Sequence, residues 1–440
     1  GVGKSRLVAE LNERVAAMDH SKWVVGRSVS YDQDRPYHLV ASLVLSMAGI
    51  TENDDPRSIT AAVTNLVETA LGKGNQSTNH LLQLLGVHEG HADDDPAVLH
   101  DQYSTALADL LSQVASTSAP LVVICEDAHW ADASSTQLLA GMLERFQQSP
   151  LLFVIVSRPD RQSHGWDLVV QADRDLAEAF VETRLQPLDE GNSRLLVANL
   201  LEIESLPTEL RDLVLGRSEG NPFFIEEVVR MLVDRGLVEN IDGRWVASAD
   251  ISSLDVPETL HGLLASRIDR LPAEARRIAM VAAVIGRRFD NSLLMSVLDA
   301  DTPGESSTVS ADVNVLEAQG LVKLISTRPE LSFSFRHALT HDVTYASILK
   351  KDRRRLHGEV ADAIVRAYPG RLEEQAPTLA RHYEEAEDHD KTLHYLLVAA
   401  EDAKSRHAMP ESHSFYVRAA AMLNANPDTP AELKVDVALS

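Results

Sequence analysis

The chain opens on Gly1-Val2-Gly3-Lys4-Ser5, and an apolar-periodic stretch follows at once. Glycine, glycine, lysine and a hydroxyl residue directly before a helix constrain the fold more than any other feature. The run matches the end of the pattern G-x-x-x-x-G-K-[ST]. Glycine lets backbone N–H groups approach an anion without a Cβ in the way. A helix start adds further N–H groups and the positive end of its dipole. Gly1 and Gly3 therefore read as a phosphate cradle. Lys4 is the cation for β- and γ-phosphates, and the Ser5 hydroxyl is a ligand for Mg²⁺. Nucleotide, ATP or ADP with Mg²⁺, is the expected ligand. Because the chain begins inside this motif and without Met, the expectation is that the N-terminus and the strand feeding the loop lie upstream.

A second motif answers the first about 120 residues later. Leu121-Val122-Val123-Ile124-Cys125 is a short, wholly apolar run with strand length, and Glu126-Asp127 follows it. A buried strand ending in two carboxylates can hold one near Mg²⁺ and one near an attacking water. Glu126 is assigned to the metal and Asp127 to the water, although on sequence alone the two roles are interchangeable. Another apolar run, Leu151 to Val156, leads to Ser157-Arg158-Pro159. Arg158 then sits at the carboxyl end of a strand, where α/β ligands bind. It reads equally as a γ-phosphate contact and as a solvated strand end.

Strand, helix, strand at this spacing predicts a parallel sheet. The expected elements are a helix over Gly3–Met18, a strand over Trp23–Gly26, and helices over Leu39–Met47 and Ala97–Val114. A helix over Ala133–Phe146 carries Asp132 as N-cap, and a last strand is expected over Val181–Leu185. Beyond it the pattern is helical: Asp189–Leu201, Pro207–Gly216, Pro222–Arg235, Pro257–Arg270, Pro272–Ile285 and Ala311–Gln319. Two short strands, Leu321–Ile325 and Ser332–Arg336, follow. From Arg353 onward everything reads as helix, with Leu356, Val360 and Ile364 on one stripe. Paired helices are expected over Leu379–Glu387, Lys391–Arg406 and Glu411–Leu423.

Composition narrows the function. With 66 acids against 41 bases the formal charge is −25, so broad nucleic-acid or anionic-membrane binding is disfavoured. Lys350-Lys351-Asp352-Arg353-Arg354-Arg355 reads as a solvated helix start. One cysteine, Cys125, allows no internal disulfide, which fits a reducing cytoplasm. No apolar run approaches membrane-span length. The stretch Gly86–Pro96, with His88, His91 and Asp93-Asp94-Asp95, reads as a surface loop, not a metal site.

The run Glu126-Asp127-Ala128-His129-Trp130-Ala131-Asp132 resembles the E-D-x-H-W-A-D signature of one group of signal-transduction ATPases with numerous domains, the STAND class. That group includes the ATPase regions attached to class III adenylate cyclases and to large LuxR-type regulators. Ser218-Glu219-Gly220-Asn221-Pro222-Phe223-Phe224-Ile225-Glu226-Glu227 resembles its helical-lid signature. Val256-Pro257-Glu258-Thr259-Leu260, with Arg267-Ile268-Asp269-Arg270-Leu271, resembles the entry to its winged helix. Phe335-Arg336-His337-Ala338-Leu339 with Asp342 and Tyr345 resembles its F-x-H-A-L…D…Y segment.

The resemblance implies an α/β P-loop NTPase core (1–186), a helical lid (187–255), a winged-helix-like domain (256–350) and helical, TPR-like repeats (351–440). It implies a slow ATP switch whose partners are other domains of the parent protein and a protein on the repeats. Pro222 would lie against the nucleotide, and His337 would contact a phosphate; a packed core histidine is the other reading of His337. His129 and Trp130 read as packing beside the acids. No cyclase or LuxR-type DNA-binding domain is recognisable in the chain. A non-hydrolysing scaffold and a winged-helix DNA-binding regulator are the competing functions.

Overall fold

The computed structural model describes residues 2–17, 21–29, 33–52, 54–87, 96–117, 120–146, 149–201, 214–241, 244–247, 257–301, 306–327 and 330–425. Gly1, the acidic stretch 88–95, Val256 and most of the expected helix Pro207–Gly216 lie outside them.

Helix α1 (Lys4–Ala16) follows Gly3, and β1 (Lys22–Arg27) comes next. Four helices precede the second strand: α2 (His38–Ala48), α3 (Pro56–Leu71), α4 (Ser77–Leu84) and α5 (Pro96–Thr117). The expected pattern lacked α3 and α4. Helix α3 has a sharp start, since Asp55 accepts hydrogen bonds from Arg57 and Ser58 N–H and Pro56 opens the helix. Its buried residues Ile59, Val63 and Val67 fall at four-residue spacing.

Strand β2 (Leu121–Glu126) is buried over its first five residues. It lies between β1 and β3 (Leu151–Ile155), parallel to both. Val, Ile and Leu with no polar alternation suit a strand covered on both faces. Cys125 is fully buried, and burial pushes its thiol up to about 12, so it is chemically quiet. Between β2 and β3 runs α6 (Ala133–Met142), continued by a 3-10 turn over Leu143–Phe146. Helix α7 (His164–Leu176) follows β3.

The strand expected over Val181–Leu185 is not formed. Val181 is 81% exposed, and Arg184 pairs locally with Glu182 at 2.7 Å. A parallel strand needs both faces covered, and this segment has neither.

Then come α8 (Glu190–Leu201), α9 (Pro222–Asp234), the antiparallel pair β4 (Val238–Ile241) and β5 (Arg244–Ala247), α10 (Leu260–Asp269) and α11 (Ala273–Ile285). They are followed by β6 (Arg288–Asp290), α12 (Asn291–Asp301), α13 (Ser306–Ala318), β7 (Val322–Ser326), β8 (Ser332–Phe335) and α14 (Ala338–Ala346). A small sheet has the order β6-β8-β7, with β6 antiparallel to β8. Four helices close the described chain: α15 (Lys350–Ala367), α16 (Ala376–Glu385), α17 (His389–Ser405) and α18 (Met409–Ala425). Successive members pack on one another, and Leu356, Val360 and Ile364 are buried as the stripe predicts.

The chain forms two compact units. One comprises Gly1–Leu11, Glu182–Ile325 and Ser332–Leu349; the other comprises Asn12–Val181, Ser326–Leu331 and Lys350–Ser440. The second unit therefore joins the parallel sheet to the last four helices. Among the described residues, no helix is long and apolar enough to cross a membrane.

Inside the four-helix array, His357 and His382 are fully buried, with their Nδ1 atoms 2.8 Å apart. An Arg381 guanidinium nitrogen lies 3.0 Å from His382 Nε2. Arginine only donates, so His382 Nε2 accepts and its proton is on Nδ1. That proton is donated to His357 Nδ1, and both rings are neutral. Burial first, and then Arg381, holds His357 down at about 3 and His382 well below its usual value. Both values lie below those of the unfolded chain. Stability is therefore intact above the ordinary histidine range and lost as pH falls through it. The unfolding free energy, measured by chemical denaturation, should fall between pH 6 and 4.5 by about 1 kcal/mol per pH unit for each ring. The double replacement His357→Leu, His382→Met should flatten that slope.

Candidate functional site

The acid pair is positioned by β2. Arg27 is in register with Glu126 across β1 and β2, and the guanidinium Nε lies 2.5 Å from Glu126 Oε2. Both side chains are partly exposed, so the pair is weaker than its distance suggests. The sequence reading missed Arg27. Its signal was a cation ending an apolar run, and only strand register brings it to Glu126.

Asp127 turns the chain sharply, with φ 52° and ψ 39°. Left-handed backbone is strained for a non-glycine residue, by about 1–3 kcal/mol. Aspartate tolerates it better than most. The turn is held from outside. Val156 N–H donates to Cys125 C=O, and Ala128 N–H donates to Val156 C=O, each at 2.9 Å. Ala128–Trp130 forms one 3-10 turn, with His129 buried and its ring 4.7 Å from that of Trp130. Helix α7 crosses this turn at Gly165, where a Cβ would stand 1.9 Å from Ala128 O. Gly165 is a second residue that sequence patterns did not single out.

Asp132, the last acid of the run, is buried and caps α6 through Ser135 N–H at 2.7 Å. It also accepts from Tyr37 N–H (3.0 Å) and Leu39 N–H (3.2 Å) at the start of α2. Burial raises its carboxyl. Arg158 is exposed, three residues beyond β3. Because β1, β2 and β3 are parallel and adjacent, Arg27 and Glu126 lie at the carboxyl ends of strands, and Asp127 and Arg158 lie just beyond them.

The remaining expected residues belong to the other unit. Gly3 has φ +101°, and a Cβ there would meet open space, so only the backbone conformation demands glycine. Leu7 N–H donates to Gly3 C=O (3.0 Å), which makes Lys4 and Ser5 the first residues of α1. The first turn of α1 carries no acid to compete with an anion. Pro222 is the first residue of α9, capped by Asn221, whose side chain accepts from Phe223 N–H at 3.1 Å. His337 precedes α14, and its ring centre lies 3.9 Å from that of Phe223. Burial first, and then Arg336, with Arg287 and Arg230 adding, lowers His337 to about 4, so its imidazole is neutral at pH 7. Glu227 and Arg267 form a buried pair at 2.6 Å. Segments distant in sequence thus meet inside this unit: Phe223 with His337, and Glu227 with Arg267.

Gly3, Lys4, Ser5, Pro222 and His337 belong to one unit, and Glu126, Asp127 and Arg158 belong to the other. Among the described residues, no group of three or more His, Cys, Asp or Glu side chains is arranged to hold a metal ion. Mg²⁺ at nucleotides does not need such a cage. It takes one or two protein oxygens and otherwise phosphates and water. The hydroxyl of Ser5, exposed at the start of α1, and the partly exposed Glu126 carboxylate are oxygen donors of that kind.

Residues 1–155 match the family described as an AAA ATPase domain. That match supports a P-loop ATPase in this segment. Residues 189–245 match a domain of unknown function. An uncharacterized protein, R02095, of Rhizobium meliloti (strain 1021) is 28% identical over 442 residues. The alignment covers 99% of this chain, which spans 41% of that protein's length. Among solved structures, the Aeropyrum pernix ORC1 protein in complex with DNA is similar at 11% identity, covering 78% of this chain and 91% of that chain. Its TM-score of 0.26 is too low to guide an inference about fold or ligand.

The Gly165 contact gives a direct test of how the acid turn is held. Gly165→Ala should push α7 off Ala128 and cost about 1–3 kcal/mol by overpacking. Chemical denaturation measures this. A stability equal to the parent's would mean that α7 does not clamp the turn.

Proposed function

We propose that this chain is the ATP-binding switch module of a multidomain signalling protein of the STAND class. The observation that carries the reading is the pairing of Gly3-Lys4-Ser5 at the start of α1 with the acid pair ending a buried central strand. Both fall in the segment that matches an AAA ATPase domain. The proposed division is a nucleotide core over 1–186, a lid over 187–255, a winged-helix-like domain over 256–350 and TPR-like repeats over 351–440. Helices α10, α11 and α13 before β7 and β8 support the third of these, and α15–α18 support the fourth.

In this reading, backbone N–H groups around Gly3 and the start of α1 cradle the phosphates, and Lys4 binds them by charge. Ser5 and Glu126 hold Mg²⁺, whose chemistry is to neutralise phosphate charge. Asp127 orients the attacking water and takes its proton. Arg158 stabilises charge at the γ-phosphate. Pro222 packs against the nucleotide. His337, neutral beside Phe223, donates one N–H to a phosphate and favours the ADP form. Arg27 on Glu126 favours slow turnover, because the carboxylate must leave that pair to serve the metal. The output of the whole protein, and any protein partner on the repeats, belongs to the same proposal.

Fluorescent ATP titration and single-turnover hydrolysis test it. Lys4→Ala should weaken ATP binding by about ten- to 150-fold, the worth of a charge-assisted contact. Asp127→Asn should bind normally and hydrolyse about a hundredfold more slowly or worse. Unchanged affinity with Lys4→Ala would refute the phosphate loop.

His337 has its own test. His337→Ala should release ADP about five- to 150-fold faster. A purely structural ring predicts lower melting temperature with and without ADP, and an unchanged release rate in stopped flow.

A further inference from the structure

Glu411, near the start of α18, is buried, and it contacts the sheet region of its own unit. It accepts hydrogen bonds from Ser134 N–H at 2.9 Å and from Ser134 Oγ at 2.5 Å. Ser134 is the second residue of α6, so Glu411 takes an amide that a helix start leaves without an internal acceptor. The next amide, Ser135 N–H, goes to Asp132. Two buried carboxylates, from distant parts of the chain, thus crown one helix.

The array grips the adjoining connection as well. Arg418 on α18 pairs with Asp34 at 3.0 Å, and Glu374 pairs with Arg35 at 3.0 Å. Tyr37 OH donates to His407 C=O (3.4 Å), and Arg371 donates to Glu52 C=O (3.0 Å). These contacts hold residues 33–52, which leave the carboxyl end of β1 and contain α2. In a parallel α/β sheet, that is the edge where ligands bind.

We propose that the four-helix array is a proton-responsive clamp on the β1–α2 connection and the start of α6, and that closing it through Glu411 takes up a proton onto the Asp132–Glu411 pair. Two carboxylates in dry surroundings cannot both carry full charge cheaply. The helix start and its amides offset part of one charge. The groups facing the pair are Ser134 and Ser135 on α6 and Tyr37, His38 and Leu39 at the start of α2. Tyr103 on α5 and Arg406 after α17 face Tyr37 in turn. Arg406 is itself held by Asp402 at 2.5 Å, and His38 lies 4.0 Å from Glu52.

Burial first, and then Asp132, raises the Glu411 carboxyl to about 7. Released into water it returns to the ordinary glutamate range. The closed-form value is the higher one, so closure is fully favoured below the ordinary range and weakens as pH rises through about 7. Between pH 6 and 8 the closed form should weaken about tenfold. This inference does not depend on nucleotide binding.

Hydrogen exchange read by mass spectrometry, on the full chain without nucleotide and corrected for intrinsic rates, tests it at pH 6, 7 and 8. Protection over residues 33–48 and 133–142 should fall about tenfold across that range, while that of β2 stays constant. Glu411→Gln keeps an acceptor for Ser134 N–H but cannot ionise, and its protection should stay flat. Ser134→Ala removes a donor that favours the charged form, so its midpoint should move to higher pH. Equal protection at pH 6 and 8 in the parent chain would overturn the clamp. So would a tenfold loss retained in Glu411→Gln. If that variant does not fold, an unmoved midpoint in Ser134→Ala would do the same.

Discussion

The carboxylate of Asp132 ties together the helices beside the parallel sheet. It is almost fully buried and takes backbone amides from Tyr37, Leu39 and Ser135. One side chain therefore fixes the starts of α2 and α6 relative to each other. A buried carboxylate is tolerated because those amides replace its water. Val40 N–H completes the junction by donating to Ser135 Oγ at 3.1 Å. The helix after the acid pair and the helix after β1 thus share one polar anchor. Truncating Asp132 would leave several buried amides without acceptors, which costs more than the bonds themselves are worth.

Five residues upstream, a different constraint acts on Asp127. Its left-handed backbone persists because neighbours over-determine it: the Val156 hydrogen bonds on one side and α7 at Gly165 on the other. Strain held in this way is common where a side chain has a job at a fixed place. Arg27 adds an electrostatic element, since it balances Glu126 at the strand ends. The site thus combines a rigid acid turn with one exchangeable ion pair.

The other unit reaches its own order through a few long-range pairs. Phe223 packs against the tilted ring of His337, and Glu227 meets Arg267 away from water. A buried ion pair adds little net stability. The neutral state of His337 follows from burial among arginines, which disfavours the protonated ring.

Much of this was legible in local sequence, because local physics decides it. Leu121–Cys125 could only be a buried strand, and Asp132 before an apolar helix is an N-cap by chemistry alone. Asn221-Pro222 starts a helix for the same reason, and Leu356, Val360 and Ile364 had to face a core. Local pattern misled at Val181–Leu185, where a strand-like run found no partner. At Asp55-Pro56 a cap and a four-residue stripe mark α3 in the sequence itself. The motif G-V-G-K-S and the acid pair carry the proposed chemistry, since phosphate and Mg²⁺ demand those atom types. The residues that position the acids were not legible. Arg27 reaches Glu126 through strand register, Gly165 matters because α7 crosses Ala128, and Glu411 reaches Ser134 across 277 positions. Short-range hydrogen bonding and apolar periodicity are written residue by residue, so the sequence by itself determined the elements and the chemical types at their ends. Which distant side chains share a buried space depends on packing the whole chain at once, and only the tertiary structure decided that.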